Sequence, residues 1–162
     1  METKEKSAVK HKTVSIKRTF NLPVETVWKA WTEPEAYKKW WGPHAYTCTY
    51  CKIDLNVGGK YVSNMKSKDG KEMFGTGTYK EIVPNKKLVM TDNFSDEKGN
   101  IIDPPKEMKG DWSKELIITV ELQDKNGKTD FSLTHEGLPV EMQDDCTEGW
   151  NESLDKLESK LK

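Results

Sequence analysis

The stretch MQDDCTEGWNESLDKLESKL, residues 142–161, decides the fold. Its apolar side chains recur at three- and four-residue intervals, the period of an α-helix with one apolar stripe: Met142, Cys146, Trp150, Leu154, Leu157 and Leu161. Pro139 suits the first turn of such a helix, and Glu141, Asp144 and Asp145 suit its positive end. A helix of this kind must bury its stripe, so the rest of the chain has to supply an apolar face.

That face is predicted to be a β-sheet, because the segments before the helix mostly alternate apolar and polar side chains. Asp69-Gly70 and Asn126-Gly127 are strong signals for two-residue hairpin turns, which join antiparallel strands. Strand patterns occupy residues 13–20, 47–57, 60–67, 72–83, 87–94, 114–124 and 129–137.

Residues 21–41, NLPVETVWKAWTEPEAYKKWW, interrupt the strands with a helical period. The spacing predicts one helix that ends near Pro34 and a second short helix over residues 35–41, which Gly42-Pro43 stops. Adjacent helical residues point about 100° apart. We therefore expect one tryptophan of the Trp40–Trp41 pair to face the core and Trp41 to form a wall of any cavity.

Together these elements predict an α+β helix-grip fold. A curved antiparallel sheet of about six or seven strands wraps around the long C-terminal helix, and two short helices follow the first strand. Such a sheet does not fill all the space beneath it, so a cavity is expected. The chain has 162 residues, which fits one domain over residues 13–162 after a flexible charged tail at residues 1–12.

Bulk charge and composition exclude several classes of function. Lys and Arg total 26 against 27 Asp and Glu, so the basic surplus typical of nucleic-acid-binding domains is missing. The first residues contain no signal-peptide pattern, and no apolar run is long enough to span a membrane. We therefore expect a cytoplasmic protein without nucleic-acid or membrane partners.

The three cysteines are too few for a disulfide framework and fit a reducing compartment. Cys48 and Cys51 have the C-x-x-C spacing of redox and metal sites, but they lie in a predicted strand rather than at a helix start. A zinc site would need further ligands at suitable spacing, and neither a second C-x-x-C nor a spaced histidine pair exists. Phosphate- and dinucleotide-binding motifs are also missing. The sequence thus predicts no metal and no cofactor.

Four stretches, in order, resemble a known family: residues 21–43, DLNVGGKY at 54–61, GTYKEIVPNKKLVMT at 77–91 and EGWNESLDKLESKL at 148–161. The chain resembles the START-like (SRPBCC) superfamily, and within it the family of the C-terminal domain of the activator of heat-shock protein 90 ATPase. The resemblance spans nearly the whole chain. It implies a helix-grip fold whose cavity often binds apolar or aromatic small molecules, and some relatives are enzymes.

Strand alternation predicts which side chains face the helix and would line a ligand pocket. Among the inward-facing residues, Gly75 and Gly77 would admit the helix closely, mark a bulge or leave room for a ligand. The same residues could instead pack against one another as an ordinary core. The predicted ligand-binding residues are Trp41, Tyr61, Ser63, Met65, Met73, Tyr79, Met90, Phe94, Phe131, His135 and Trp150.

His135 is the titratable residue that we most expect to face the interior of the protein. Asp92 is also expected on the inward face, on the strand that contains Leu88 and Phe94. These two are the catalytic candidates if the protein is an enzyme, although a structural histidine is the commoner case. Residues 95–112 are long for a hairpin connection, and they form either a lid over the cavity or a solvated insertion.

Three functions follow in order of preference. The first is binding of a small apolar or aromatic ligand. The second is a co-chaperone role at a heat-shock chaperone, disfavoured because only a short charged segment precedes the fold. The third is a cofactor-free cyclase or hydrolase using His135 or Asp92.

Overall fold

The computed structural model describes residues 11–108 and 110–162. Within them the strands are β1 (His11–Phe20), β2 (Tyr46–Thr47), β3 (Cys51–Ile53), β4 (Lys60–Ser67), β5 (Glu72–Val83), β6 (Lys87–Ser95), β7 (Leu116–Lys125) and β8 (Lys128–Pro139). The helices are α1 (Val24–Thr32), α2 (Pro34–Tyr37) and α3 (Gln143–Lys160), with a 3-10 turn at Val140–Met142 before α3.

The strands form one antiparallel sheet in the order β1-β8-β7-β6-β5-β4-β2, and β3 also pairs with β4. The sheet curls around α3. This arrangement confirms the predicted helix-grip α+β fold with two short helices after the first strand. Among the described residues no helix is both long and apolar enough to cross a membrane.

Cross-strand pairing sorts the inward-facing side chains into rows across the sheet. Because paired residues of antiparallel strands point to the same face, each row is a layer of the concave surface. One row contains Ser63, Gly75 and Phe94, and another contains Tyr79, Met90, Ile118, His135 and Val14.

The apolar stripe of the C-terminal helix packs on this concave surface. Trp150, Leu154 and Leu157 are buried, as the four- and three-residue spacing predicts. Arg18 of β1, which interrupts an apolar face, reaches the helix instead and donates to the Asp155 carboxylate (3.0 Å) and the Asn151 side-chain oxygen (3.1 Å). One charged residue therefore ties the edge strand to the helix.

Three boundaries differ from the sequence predictions. His11 and Lys12, predicted as part of a tail over residues 1–12, pair with β8 instead, and residues 1–10 lie outside the described part. The strand predicted over 47–57 is broken into β2 and β3, since the Asn64 side chain binds the backbone N–H groups of Thr49 and Tyr50 and turns the chain there. The second helix ends at Tyr37, and a turn follows it.

Candidate functional site

A cavity of about 290 Å³ lies between the concave face of the sheet and the N-terminal half of α3. Its floor comes from one end of the strands, including Met65 of β4, Met73 of β5 and Phe94 of β6. Small-molecule sites in proteins have volumes of about 300–1,000 Å³, so this cavity suits a small ligand. The prediction of a gap beneath the curved sheet therefore agrees with the geometry.

Most of the predicted ligand-binding residues lie around this cavity. Its lining includes Trp41, Tyr61, Ser63, Met65, Met73, Phe94, His135 and Trp150, together with the catalytic candidate Asp92.

Tyr79, Met90 and Phe131 were predicted to line the pocket, but they lie outside it. Tyr79 is 2% exposed and packs its ring against that of Tyr61, with 5.7 Å between centroids, while Met90 pairs with Tyr79 across the strands. The Phe131 ring contacts that of Phe20 at 5.1 Å. Alternation correctly gave the face of these residues. It did not give their position along the strands, and they lie in the buried core rather than beside the cavity.

Several lining residues were missed as pocket residues. Met142 and Cys146 belong to the apolar stripe that was predicted to lie across the sheet, but neither was predicted to line the pocket. The stripe itself could have identified them, because its N-terminal half covers the open end of the sheet. The remaining lining residues are Gly42, Pro43, Tyr46, Asn64, Phe74, Gly75, Asn93, Met108, Trp112, Leu116, Leu138, Asp145, Gly149 and Ser153.

The two adjacent tryptophans divide their roles. Trp40 is fully buried, and its indole N–H donates to the Ala30 carbonyl oxygen at 2.8 Å. Trp41 is half-buried, lines the cavity and meets Trp150 edge-to-face at 5.3 Å. The interpretation that one faces the core and Trp41 forms a cavity wall agrees with this placement.

His135 and Asp92 meet in the cavity wall. The His135 Nε2 atom lies 3.0 Å from Asp92 Oδ2, and the Trp150 indole N–H donates to Nδ1 at 3.0 Å. An indole N–H only donates, so Nδ1 carries no proton and Nε2–H donates to the carboxylate. Both ring nitrogens of a neutral imidazole are therefore in use.

This arrangement makes His135 a positioning residue for Asp92. The His135 side chain is 8% exposed, whereas that of Asp92 is 25% exposed. The carboxylate is thus the more accessible member of the pair. A general-base role for His135 would require one of its two hydrogen bonds to break.

Two phenols lie buried beside the polar part of the wall. The Tyr61 hydroxyl donates to the Thr91 carbonyl oxygen at 2.9 Å, and the Tyr37 and Ser63 hydroxyls are 3.3 Å apart. Burial raises the pKa of Tyr37 and of Tyr61 well above the usual value. Both phenols are accordingly neutral at physiological pH and act as hydrogen-bonding groups.

The two sheet glycines serve different purposes. A Cβ on Gly77 would overlap the Thr91 carbonyl oxygen, and it would lie 2.7 Å from the Tyr61 ring. A Cβ on Gly75 would make only ordinary contacts, the nearest with the Asn93 carbonyl oxygen at 3.5 Å. Gly77 therefore permits close packing, while Gly75 leaves space that belongs to the cavity.

The C-x-x-C pair shows the environment of structural cysteines. Cys48 and Cys51 are free thiols. Burial raises the pKa of both, that of Cys51 to about 12, which is opposite to the shift of a redox-active thiol. Nowhere in residues 11–108 and 110–162 do three or more His, Cys, Asp or Glu side chains group as a metal site.

The long connection after β6 covers part of the cavity. Trp112 and Met108 line it, and the Trp112 ring packs edge-to-face against Phe94 at 5.1 Å. Ile101 and Ile102 are 66% and 47% exposed and point away. Only the second half of the segment 95–112 therefore has the position of a lid.

A second depression, of about 930 Å³, lies at the opposite end of the sheet. It is more open, and most of its lining is charged or polar, including Lys17, Glu121 and Asp124. Its polar lining makes it less suited than the first cavity to an apolar ligand.

Comparison with known proteins gave a family and a fold. The family model described as "Activator of Hsp90 ATPase homolog 1-like protein" matches residues 21–162. The comparison with curated proteins gave no match.

Three solved structures illustrate the structural likeness. A protein from Chromobacterium violaceum is 28% identical, with a TM-score of 0.75 over 92% of this chain and 96% of its own. A protein from Arthrobacter aurescens is 26% identical, with a TM-score of 0.77 over 92% and 85%. A Silicibacter pomeroyi protein named AHSA1 is 21% identical, with a TM-score of 0.73 over 93% and 97%, which shows the fold alone.

Proposed function

The chain belongs to the family of activator of Hsp90 ATPase homolog 1-like proteins, and from its cavity we propose that it binds a small, largely apolar molecule between the sheet and α3. The observation that carries this proposal is the unfilled space under an otherwise well-packed sheet. Met65 and Met73 give one wall a soft lining, and Trp41, Trp112 and Trp150 supply flat aromatic surfaces. Such side chains adapt to flat apolar ligands.

Apolar burial would drive the binding. Each square ångström of apolar surface removed from water contributes about 25 cal/mol, and most of the lining consists of carbon and sulfur atoms. Ser63 and Asp92 would orient one polar group of the ligand, and His135 would act through its hydrogen bond to Asp92. Tyr79, Met90 and Phe131 are not part of this proposal, because they lie in the core.

The other two functions receive less support from the geometry. An enzyme that uses His135 as a base would have to break a hydrogen bond to Trp150 or Asp92, so Asp92 is the more accessible group for proton transfer. A co-chaperone role rests on the family description alone and stays a prediction.

The cavity can be tested by filling it. In Gly75→Val the new Cβ makes ordinary contacts and its branches occupy the open space, so we expect a folded protein with a blocked site. Binding of 2-naphthylmethanol, followed by quenching of tryptophan fluorescence, should weaken at least about tenfold, because the ligand loses roughly 1.4 kcal/mol or more of contacts.

Thr78→Val is the matched control, since it places the same side chain on β5 outside the cavity lining. The control should bind like the natural protein. Equal binding by Gly75→Val would show that the probe binds elsewhere and would contradict the proposal. Native mass spectrometry of the freshly purified protein adds a second readout, because a discrete extra mass that disappears on denaturation and is missing from Gly75→Val identifies a cavity ligand.

A further inference from the structure

The charges around the cavity have one sign. Asp92 lies in its wall and Asp145, an exposed residue of α3, lies at its rim. Among the lining residues of 11–108 and 110–162 there is no lysine or arginine. The His135 ring offers no free N–H to the cavity, because its Nδ1 atom accepts the Trp150 N–H and its Nε2 atom faces Asp92.

Two nearby positive groups do not reverse this sign. The Lys156 ammonium donates to the carbonyl oxygens of Pro43 and Tyr46, at 3.3 and 3.0 Å, and its side chain is not part of the lining. The N-terminus of α3 carries a partial positive charge of about half an elementary unit. Asp144 and Asp145 in its first turn outweigh that charge.

Cys146 lines the cavity together with Asp92 and Asp145, and its thiol is influenced by both charges. Burial raises the pKa of its thiol to about 11, and the charges of Asp92 and Asp145 add to the rise. Both carboxylates thus act on the same point of the cavity wall. A ligand bound beside Cys146 would experience the same negative potential.

Several hydrogen-bond donors of the lining are already engaged with protein acceptors. The Asn93 amide donates to the Lys114 carbonyl oxygen at 2.6 Å, and the Trp112 indole N–H donates to that of Met108 at 3.2 Å. The amide of Asn64 donates to Thr49 and Glu72. The Asp92 carboxylate, by contrast, only accepts, and a quarter of its side-chain surface is exposed.

The geometry points to a ligand that pairs an apolar, preferably aromatic, body with a protonated amino group, which binds at Asp92. The aromatic faces of Trp41, Trp112 and Trp150 would add cation–π attraction for such a group. Anionic ligands such as fatty acids or aromatic carboxylates are disfavoured by the same charges. This inference rests on the proposed function and specifies the ligand class of that site.

Three probes with one body and different polar groups test the inference. These are 2-naphthylmethylamine, which is cationic at pH 7, neutral 2-naphthylmethanol and anionic 2-naphthoate, each titrated calorimetrically. We expect the amine to bind about tenfold more tightly than the alcohol, the gain of one charge-assisted hydrogen bond. The carboxylate should bind most weakly.

Asp92→Asn is the decisive variant, because an asparagine oxygen still accepts from His135 while the negative charge is lost. It should remove most of the preference for the amine, because the amine loses a charged acceptor, whereas the alcohol exchanges a charged acceptor for a neutral one and loses less affinity. Asp144→Asn, the same change in the first turn of α3 but outside the cavity lining, should reduce the preference for the amine by less than about twofold. Asp145→Asn removes the exposed charge at the cavity rim. We expect it to reduce the preference for the amine over the alcohol by about two- to threefold, less than Asp92→Asn does.

The outcomes separate this inference from the proposed function. If the alcohol binds as tightly as the amine, or if 2-naphthoate binds best, the inference is wrong while cavity binding stands. The same conclusion follows if Asp92→Asn keeps the full preference for the amine. If none of the three probes binds the natural protein, both the inference and the proposed function are contradicted.

Discussion

The two ends of the concave surface of the sheet differ in how they are covered. At one end Phe131, Leu133 and Leu88 are no more than 2% exposed, and α1 lies against β7 and β8. At the other end Met73 and Phe94 are only half-buried around the cavity. Trp31 marks the border, since its ring stacks on Phe131 at 6.1 Å and on Trp150 at 5.8 Å.

The difference lies in the covering elements rather than in the strands. The C-terminal half of α3 contributes Leu154 and Leu157, which are fully buried. The N-terminal half contributes half-buried Cys146, the turn before it contributes half-buried Met142, and Gly75, which also lines the cavity, has no side chain. One alternating pattern thus produces a core where two helices cover the sheet and a cavity where the cover is thinner.

Truncation of one phenylalanine at each end of the concave surface should produce the largest difference in stability between the two ends. Phe131→Ala removes a fully packed ring and should lower the free energy of unfolding by about 3–5 kcal/mol. Phe94→Ala removes a half-buried ring beside existing space and should cost about 1–2 kcal/mol. Urea denaturation measures both values.

The effects of the two variants on ligand binding should have the opposite order to their effects on stability. Phe94→Ala should weaken binding of 2-naphthylmethanol, whereas folded Phe131→Ala should retain it, because Phe131 lies outside the cavity. Similar unfolding costs for the two variants would mean that the two ends are equally packed. The distinction between a core end and a cavity end would then be wrong.

Removing the indole hydrogen bonds of Trp150 and of Trp112 should give a smaller difference in the free energy of unfolding. Trp150→Phe keeps a ring but leaves the buried Nδ1 of His135 without its donor, so the free energy of unfolding should fall by about 1–3 kcal/mol. Trp112→Phe loses a half-buried bond to Met108 that water can replace, so its cost should stay below about 1 kcal/mol.

The nitrogen chemical shifts of His135 test the assignment independently of stability. In the natural protein they should show a neutral ring with its proton on Nε2, and Trp150→Phe should relax that tautomeric preference. A ring protonated on Nδ1 in the natural protein would contradict the hydrogen bond from Trp150. The positioning role of His135 would then be lost.

The sequence predicts features that depend on neighbouring residues better than features that depend on residues far apart in the chain. The period of Met142–Leu161 and the alternation of the strands are local, so the fold and the inward face could be predicted. The division of that face into core and cavity depends on where α1 and α3 lie, which alternation at Tyr79, Met90 and Phe131 does not encode. The contact of His135 with Asp92 joins residues 43 positions apart and requires the register of β6, β7 and β8.

The smallest expected difference between cavity and core concerns the reactivity of two partly buried cysteines, Cys51 and Cys146. Burial raises the pKa of Cys51 to about 12 and that of Cys146 to about 11, so both thiols are protonated at pH 8. Because the thiolate is the nucleophile, alkylation of either by iodoacetamide should be slow and should accelerate about tenfold per pH unit between pH 8 and 10 while the fold persists. Quantitative peptide mass spectrometry gives the two rates separately.

A cavity ligand should separate these rates, because only Cys146 lines the cavity. Saturating 2-naphthylmethanol should slow alkylation of Cys146 several-fold and leave that of Cys51 within about twofold. Equal protection of both thiols would have another cause, since a ligand that stabilises the whole fold suppresses global opening everywhere. Gly75→Val distinguishes the two cases: if the ligand acts by occupying the cavity, its selective protection of Cys146 should disappear in that variant, while Cys51 reacts as before.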